Sequence, residues 1–180
     1  MRTHVALLKG INVGGRNMVK MADLRQMFSD IGMSAPETLL QSGNVVFGCS
    51  GKNSSELEPI LEAEASKRLS LDVRFFVRSA EELDGVISKK PFADESQADP
   101  SHLLVHFLSV MPLAYDIERV QANIAGPERI AAGIKHLYVV YPNGIGASTI
   151  ARTPGWNRLT SDGTARNWNT VLKLADLVRA

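Results

Sequence analysis

Cysteine is nearly absent from this sequence, which contains Cys49 alone among its 180 residues. A single cysteine excludes an internal disulfide bond and any zinc site built from several cysteines. No cluster of basic residues, which would activate a nucleophilic thiol, surrounds Cys49 in the sequence. We therefore interpret it as an ordinary thiol.

Long hydrophobic segments are also missing. No apolar run approaches the roughly 18 residues that a membrane-spanning helix needs. The short apolar run at residues 5–8 is too brief for the hydrophobic part of a signal peptide, and no small-residue cleavage site follows it. The chain is nevertheless 44% hydrophobic and 22% charged, which is enough apolar material for a folded core. We expect a cytoplasmic protein that does not bind membranes.

The common catalytic, nucleotide-binding and metal-binding patterns are absent. The glycine-rich residues 10–17 match neither the G-x-G-x-x-G fingerprint nor the P-loop. His102 and His106 fall on a predicted strand, which would place them about 13 Å apart. Ser42 has no evident histidine and aspartate partners. The sequence therefore predicts no catalytic residue, no metal and no cofactor, and it leaves open whether the protein is an enzyme.

The order of predicted elements indicates the fold class. In the first half, a buried strand at residues 5–8 is followed by a helix that ends at Gly32 and by a hairpin around Gly43. A second helix, opened by a capping box at residues 55–58, and a strand at residues 72–78 complete the βαββαβ order of a ferredoxin-like unit.

The pattern begins again after a polar, proline-bracketed segment. A strand from His102, a helix, a hairpin around Gly133 and a final helix carrying Trp168 form the second half. We predict an α+β fold of two ferredoxin-like halves, with helices packed on one side of antiparallel sheet. The halves are residues 1–88 and 102–180, joined by a linker at 89–101, in what we expect to be one compact structural unit.

The net charge of +1 hides an uneven distribution. Residues 1–29 carry five basic side chains against one acidic, and residues 152–180 carry five against two. The middle of the chain is acidic, with ten basic and sixteen acidic residues. If the two ends meet in space, they form a basic face that attracts phosphates or nucleic acid. Alternatively, the charges are spread over separate solvated faces.

Three polar loops are the candidate binding segments. Each combines glycine or small residues with amide or basic side chains, which can hold an anion or a polar ligand near the start of a helix. The candidate ligand-binding residues are Lys9, Asn12, Gly14, Gly15, Arg16, Lys20, Gln41, Ser42, Asn44, Arg166, Asn167 and Asn169. Turn formation, helix capping and core packing are the alternative roles for these loops.

The function predicted from these loops is binding of a phosphorylated or otherwise anionic small molecule in a polar pocket between the halves. Nucleic-acid binding is an alternative, but only through phosphates, because the first strand has no aromatic residue on which a base could stack and the third offers only Phe47. A protein interaction or assembly module is another, if Tyr138 and Tyr141 lie on an exposed sheet face.

Three motifs resemble the signatures of the domain-of-unknown-function family 1697, a widespread bacterial group. They are ALLKGINVGG at residues 6–15, QSGNVVF at 41–47 and RNWNTVLKL at 166–174. The resemblance implies an α+β fold of two ferredoxin-like halves, with no assigned activity, cofactor or substrate. This sequence departs from the family pattern at Thr149, where a basic residue is usual, and at residues 154–155, where Pro-Gly interrupts a commonly helical stretch.

Overall fold

The computed structural model describes all of residues 1–180, which form eight β-strands and seven α-helices. They form two units. The first comprises Met1–Gly85 and Lys173–Ala180, and the second comprises Val86–Leu172. Each unit contains one four-stranded antiparallel sheet with helices, which confirms the predicted α+β fold class.

The first unit follows the predicted βαββαβ order. Its sheet has the strand order β2-β3-β1-β4, and every neighbouring pair is antiparallel. The elements are β1 (His4–Leu8), α1 (Met21–Asp30), β2 (Ser34–Leu39), β3 (Asn44–Gly48), α2 (Ser54–Leu69) and β4 (Phe75–Ser79). A further helix, α3 (Ala80–Lys89), follows β4 directly and contains the boundary to the second unit.

The core of the first unit lies between one face of its sheet and the helices α1 and α2. Alternate strand residues such as Ala6 and Phe47 point to this face, because side-chain direction alternates along a strand. Phe28 of α1 packs edge-on against Phe47, with ring centroids 5.0 Å apart. Burying an aromatic side chain of this kind stabilises the fold by about 1.5–3 kcal/mol.

Helix α2 begins earlier than predicted. The expected capping box at residues 55–58 is wrong, because the structure uses Asn53 and Glu56 instead. Asn53 Oδ1 accepts a hydrogen bond from the Glu56 backbone N–H at 3.0 Å, and Glu56 Oε2 accepts one from the Asn53 backbone N–H at 2.8 Å. Asparagine caps a helix as well as serine does, so residues 53–56 and residues 55–58 both match the capping-box pattern.

The second unit repeats the element order and the strand order of the first. Its sheet has the order β6-β7-β5-β8, again antiparallel throughout. The elements are α4 (Ala93–Ala98), β5 (Leu103–Leu108), α5 (Ala114–Asn123), β6 (Arg129–Ala132), β7 (His136–Val140), α6 (Trp156–Thr160), β8 (Gly163–Asn167) and the start of α7 (Trp168–Arg179), whose residues from Lys173 onward belong to the first unit. Short 3-10 turns occur at Pro100–His102, Ile145–Ala147 and Ile150–Arg152. Helix α4 and the first of these turns fall largely within the segment predicted as a linker.

Strand β8 corrects the interpretation of the C-terminal motif. We expected a loop ahead of the last helix, but residues 163–167 pair with β5, and Trp168 begins α7 at once. The strand has no large apolar residue that would reveal it, since Thr164 and Arg166 occupy its buried positions.

Candidate functional site

The loop between β1 and α1 is held in place by Asn12. Its side-chain Nδ2 donates to the carbonyl oxygens of Val19 at 3.1 Å and Gln41 at 3.0 Å. Its Oδ1 accepts a hydrogen bond from the Val19 backbone N–H at 2.9 Å. Asn12 therefore closes the loop on itself and ties it to the hairpin between β2 and β3.

Gly14 and Gly15 form the tip of this loop. Val13 and Arg16 pair across the tip, and the Arg16 N–H donates to the Val13 carbonyl at 3.1 Å. The two glycines have φ values of +58° and +72°, a left-handed conformation that glycine adopts without strain. No atom lies within 4 Å of a Cβ built on either residue, so the backbone at the tip is open to an approaching ligand.

Two exposed cations flank the tip. The side chains of Arg16 and Lys20 form neither a hydrogen bond nor an ion pair in the structure. Lys20 is the N-cap residue of α1, and no side chain caps that helix end. The exposed N–H groups of a helix start favour an anion, although Asp23 in the first turn offsets part of this effect. Lys9 lies at the base of the loop and is half-buried.

The hairpin between β2 and β3 packs against the start of the same loop. Asn44 is fully buried, and its Nδ2 donates to the Leu39 carbonyl at 2.9 Å and to Ser42 Oγ at 3.0 Å. The Leu8 N–H donates to the Gly43 carbonyl at 2.8 Å. Gln41 and Ser42 are exposed. The structure thus brings the first two predicted polar loops together in one unit, with Asn12 and Asn44 engaged in holding them.

The third predicted segment lies in the second unit, and its side chains are engaged there. Arg166 is only 7% exposed, and its Nη1 donates to Thr164 Oγ1 at 2.7 Å and to the Ala165 carbonyl at 2.8 Å. Burial lowers the pKa of Arg166 to about 10, so the side chain stays charged at neutral pH. Its strand position explains this burial, because it lies on a covered face of the sheet opposite Val105.

Asn167 and Asn169 stand at the start of α7. Asn167 Oδ1 accepts a hydrogen bond from the Asn169 backbone N–H at 3.0 Å, while its Nδ2 donates to the Ser101 carbonyl at 2.7 Å. The helix-capping role considered for Asn167 is therefore present. Trp168 is buried in the core, whereas Asn169 is exposed.

Sequence reasoning missed a second buried arginine. Arg78 on β4 pairs with Val5 of β1, as Arg166 on β8 pairs with Val105 of β5. Its Nη1 donates to the carbonyl of the preceding residue, Val77, at 2.6 Å. Burial lowers the pKa of Arg78, and nearby carboxylates oppose this shift. No local sequence signal links the two arginines, because their equivalence depends on strand pairing.

A cluster of polar side chains in the second unit was also missed. His106 Nε2 and the Tyr141 hydroxyl lie within hydrogen-bond distance at 3.1 Å, and the His106 and Trp156 rings are nearly perpendicular, with centroids 5.5 Å apart. Burial lowers the pKa of His106 to about 4. Burial raises the pKa of Tyr141, and the carboxylate of Glu128 adds to this shift. Glu128 Oε1 accepts a hydrogen bond from Ser148, and its buried Oε2 has no partner.

The structure does not provide the exposed tyrosine face that would have supported a protein interaction module. Tyr138 and Tyr141 are both buried, because both faces of the second sheet are covered. The Tyr138 hydroxyl donates to the Val86 carbonyl at 2.7 Å, and burial raises its pKa to about 12. Aromatic side chains of this sheet therefore offer no interaction surface.

No group of three or more histidine, cysteine or acidic side chains lies close enough together to hold a metal ion. None of the helices combines the length and the apolar character needed to cross a bilayer.

Comparison with known proteins identifies a family and a related fold. The solved structure of the conserved bacterial protein SP0830 from Streptococcus pneumoniae matches with a TM-score of 0.76, covering 98% of this chain and 98% of that chain. The two sequences are 20% identical, so the likeness shows the fold alone. None of the curated proteins matches this chain.

The profile of the family described as "Protein of unknown function (DUF1697)" matches residues 1–138, which is more than half of the chain. The match includes the motifs at residues 6–15 and 41–47, whereas the motif at residues 166–174 lies beyond it. The chain belongs to the DUF1697 family of proteins of unknown function.

Proposed function

We propose that the first unit binds a phosphorylated or otherwise anionic small molecule at the loop between β1 and α1. The observation that carries the proposal is the pair of exposed cations, Arg16 and Lys20, which have no carboxylate partner. A charged group that lacks an internal partner contributes its attraction to a ligand without first breaking an ion pair. The open backbone at Gly14 and Gly15 leaves room for a phosphate beside them.

The proposal is confined to this loop because most of the other predicted ligand-binding side chains are already engaged. Asn12 and Asn44 each form hydrogen bonds that hold the loops together. Arg166 is buried and donates to its own strand, and Asn167 caps a helix. Recruiting any of them would first require breaking these bonds. Ser42 Oγ already accepts a hydrogen bond from Asn44, whereas Gln41 is exposed on the adjoining hairpin and can supply a further polar contact.

An exposed site with two cations binds weakly. A hydrogen bond to a charged group contributes about 1.5–3 kcal/mol, so two of them give about 3–6 kcal/mol before the cost of immobilising the ligand. Because the immobilisation cost reduces this gain, the expected dissociation constant for pyrophosphate is on the order of a millimolar or above. Ligands that add contacts beyond the phosphates should bind more tightly.

The test is a titration with pyrophosphate, nucleotides and sugar phosphates, followed by calorimetry or by amide chemical shifts. Arg16→Ala and Lys20→Ala should each raise the dissociation constant by about tenfold, which corresponds to about 1.4 kcal/mol. Lys52→Ala is the matched control, because Lys52 is an exposed lysine of the same unit outside the loop. If all three variants bind as the wild type does, the loop is not the site.

The same cations would attract the phosphate backbone of a nucleic acid, which we place second. Both faces of the first sheet are buried, so its phenylalanines are covered and offer no platform for base stacking. Short DNA and RNA belong in the same titration. An affinity that falls steeply with added salt would favour the nucleic acid, because each phosphate contact adds to the salt dependence. A shallow salt dependence favours the small ligand.

A further inference from the structure

The two units carry comparable loops of different chemical character. The first strand of each unit, β1 or β5, ends beside the hairpin formed by two other strands, and the loop to the next helix begins there. In the first unit this loop is residues 9–20, with three basic and no acidic side chains. In the second unit it is residues 109–113, which have no charged residue at all.

The loop of the second unit and the first turn of α5 expose large apolar side chains. Val110, Met111, Leu113 and Tyr115 are each 62–69% exposed, and they occur within six consecutive positions. We call these four residues the second-unit patch. Single exposed apolar residues are ordinary, but several adjacent large ones mark an interaction surface. Nothing in the second unit covers them.

The second-unit patch borders a pocket at the end of β5. The buried side chains of Leu108 and Leu159 line this pocket together with Val110, Met111 and Leu113. Charged residues of both signs complete its lining: Asp116, Arg158 and Asp162. An apolar surface with a mixed charged border is the composition expected of a protein interface.

We propose that the second-unit patch binds the same patch of a second copy of the chain, forming a dimer with twofold symmetry. A twofold interface must be complementary to itself. A surface that carries both positive and negative charges can pair a basic side chain of one copy with an acidic side chain of the other. Arg158 is suited to this role because its side chain is 70% exposed, and its intrachain contact with Asp116 is long at 3.7 Å. Asp162 is exposed beside it.

The corresponding loop of the first unit does not meet this requirement. Its charged residues are Lys9, Arg16 and Lys20, all basic, and two such loops would repel each other. Its composition suits an anion, as proposed above, whereas that of the second-unit patch suits a copy of itself. The dimer proposal does not depend on anion binding, since the two use different residues.

The available area indicates a reversible dimer. A large apolar side chain has roughly 150–200 Å² of accessible surface, of which about two thirds is exposed at each of the four positions. Covering the second-unit patch on both copies would bury roughly 900 Å², and the charged border adds to this. Areas of this size are at the lower end of specific interfaces, so we expect dissociation in the range of tens to hundreds of micromolar.

The test measures molar mass by sedimentation equilibrium from about 5 to 500 μM. The wild type should change from the 19.6 kDa monomer towards twice that mass as concentration rises. Met111→Glu should remain a monomer, because it places a charge in the apolar centre. Met18→Glu is the matched control, since Met18 is as exposed as Met111, at 65%, but lies in the loop of the first unit. Circular dichroism verifies that both variants fold.

Charge exchange tests the twofold arrangement. Arg158→Asp should weaken dimerisation at least tenfold, and adding Asp162→Arg should restore most of it, because the pair of opposite charges is recreated between copies. A wild type that stays monomeric at 500 μM overturns the proposal. So does a dimer that tolerates Met111→Glu, or a mass that grows without stopping at two copies.

Discussion

Protonation of His106 should destabilise the second unit in mildly acidic solution. His106 lies on β5 against Tyr141 and Trp156, and burial lowers its pKa from 6.5 to about 4. The unfolded chain therefore takes up a proton near pH 6.5, whereas the folded chain resists it until about pH 4. Stability is unaffected above pH 6.5 and is lost as the pH falls from there towards 4.

The magnitude follows from the two pKa values. One pKa unit corresponds to about 1.36 kcal/mol, so the full loss below pH 4 is about 3 kcal/mol. Between pH 7 and pH 5 the loss due to His106 alone is about 2 kcal/mol. Near pH 5 the free energy of unfolding should change by about 1.2 kcal/mol for each pH unit from this residue, because unfolding then takes up nearly one proton.

The assay compares urea unfolding of the wild type and His106→Gln at pH 7, 6 and 5. Glutamine keeps a polar group beside Tyr141 but does not titrate in this range. The wild type should lose about 2 kcal/mol more than the variant does on going from pH 7 to 5. An equal loss of unfolding free energy from pH 7 to 5 in both proteins would refute the reasoning. So would a nuclear magnetic resonance titration in which the His106 ring protonates near pH 6.5. The other histidines are common to both proteins and cancel.

Two further changes test how the loops of the first unit are built. Gly43→Ala should cost about 2–5 kcal/mol, because its φ is +74° and a Cβ there would lie 2.7 Å from Ile11 Cδ1. Gly51→Ala, at φ +76° with no atom near its Cβ, should cost only about 1–2 kcal/mol; equal costs in urea unfolding would contradict the packing argument. Asn12→Ala removes three hydrogen bonds and should cost about 1–3 kcal/mol. It should also speed hydrogen exchange at the Val19 amide, and unchanged exchange would show that Asn12 does not hold the loop.

The element order of the first unit could be predicted from the sequence, because helices and strands leave local periodic signals, whereas strand β8 of the second unit was missed. Apolar residues spaced by three and four revealed α1, and glycine at a tight turn revealed the hairpin that contains Gly43. The same local information placed the β1–α1 and β2–β3 loops among the candidate binding segments. The capping box of α2 was predicted two residues too late, because residues 53–56 and 55–58 both match the capping-box pattern.

The roles of the candidate residues depended on pairing between distant segments. Asn12 holds two loops together only because Gln41, 29 residues away, is brought beside it. Arg166 is buried because β8 pairs with β5. The sequence does not predict this pairing, because β8 has few apolar residues.

The sequence by itself determined the fold class, the family and the positions of the exposed basic residues Arg16 and Lys20, since these follow from local composition and motif. Only the tertiary structure decided which polar side chains remain available to a ligand and which are engaged internally. The burial of Tyr138 and Tyr141 also depends on the tertiary structure, because both faces of the second sheet are covered in the folded chain. Burial and hydrogen bonding are properties of the assembled chain, because each depends on neighbours that are remote in sequence.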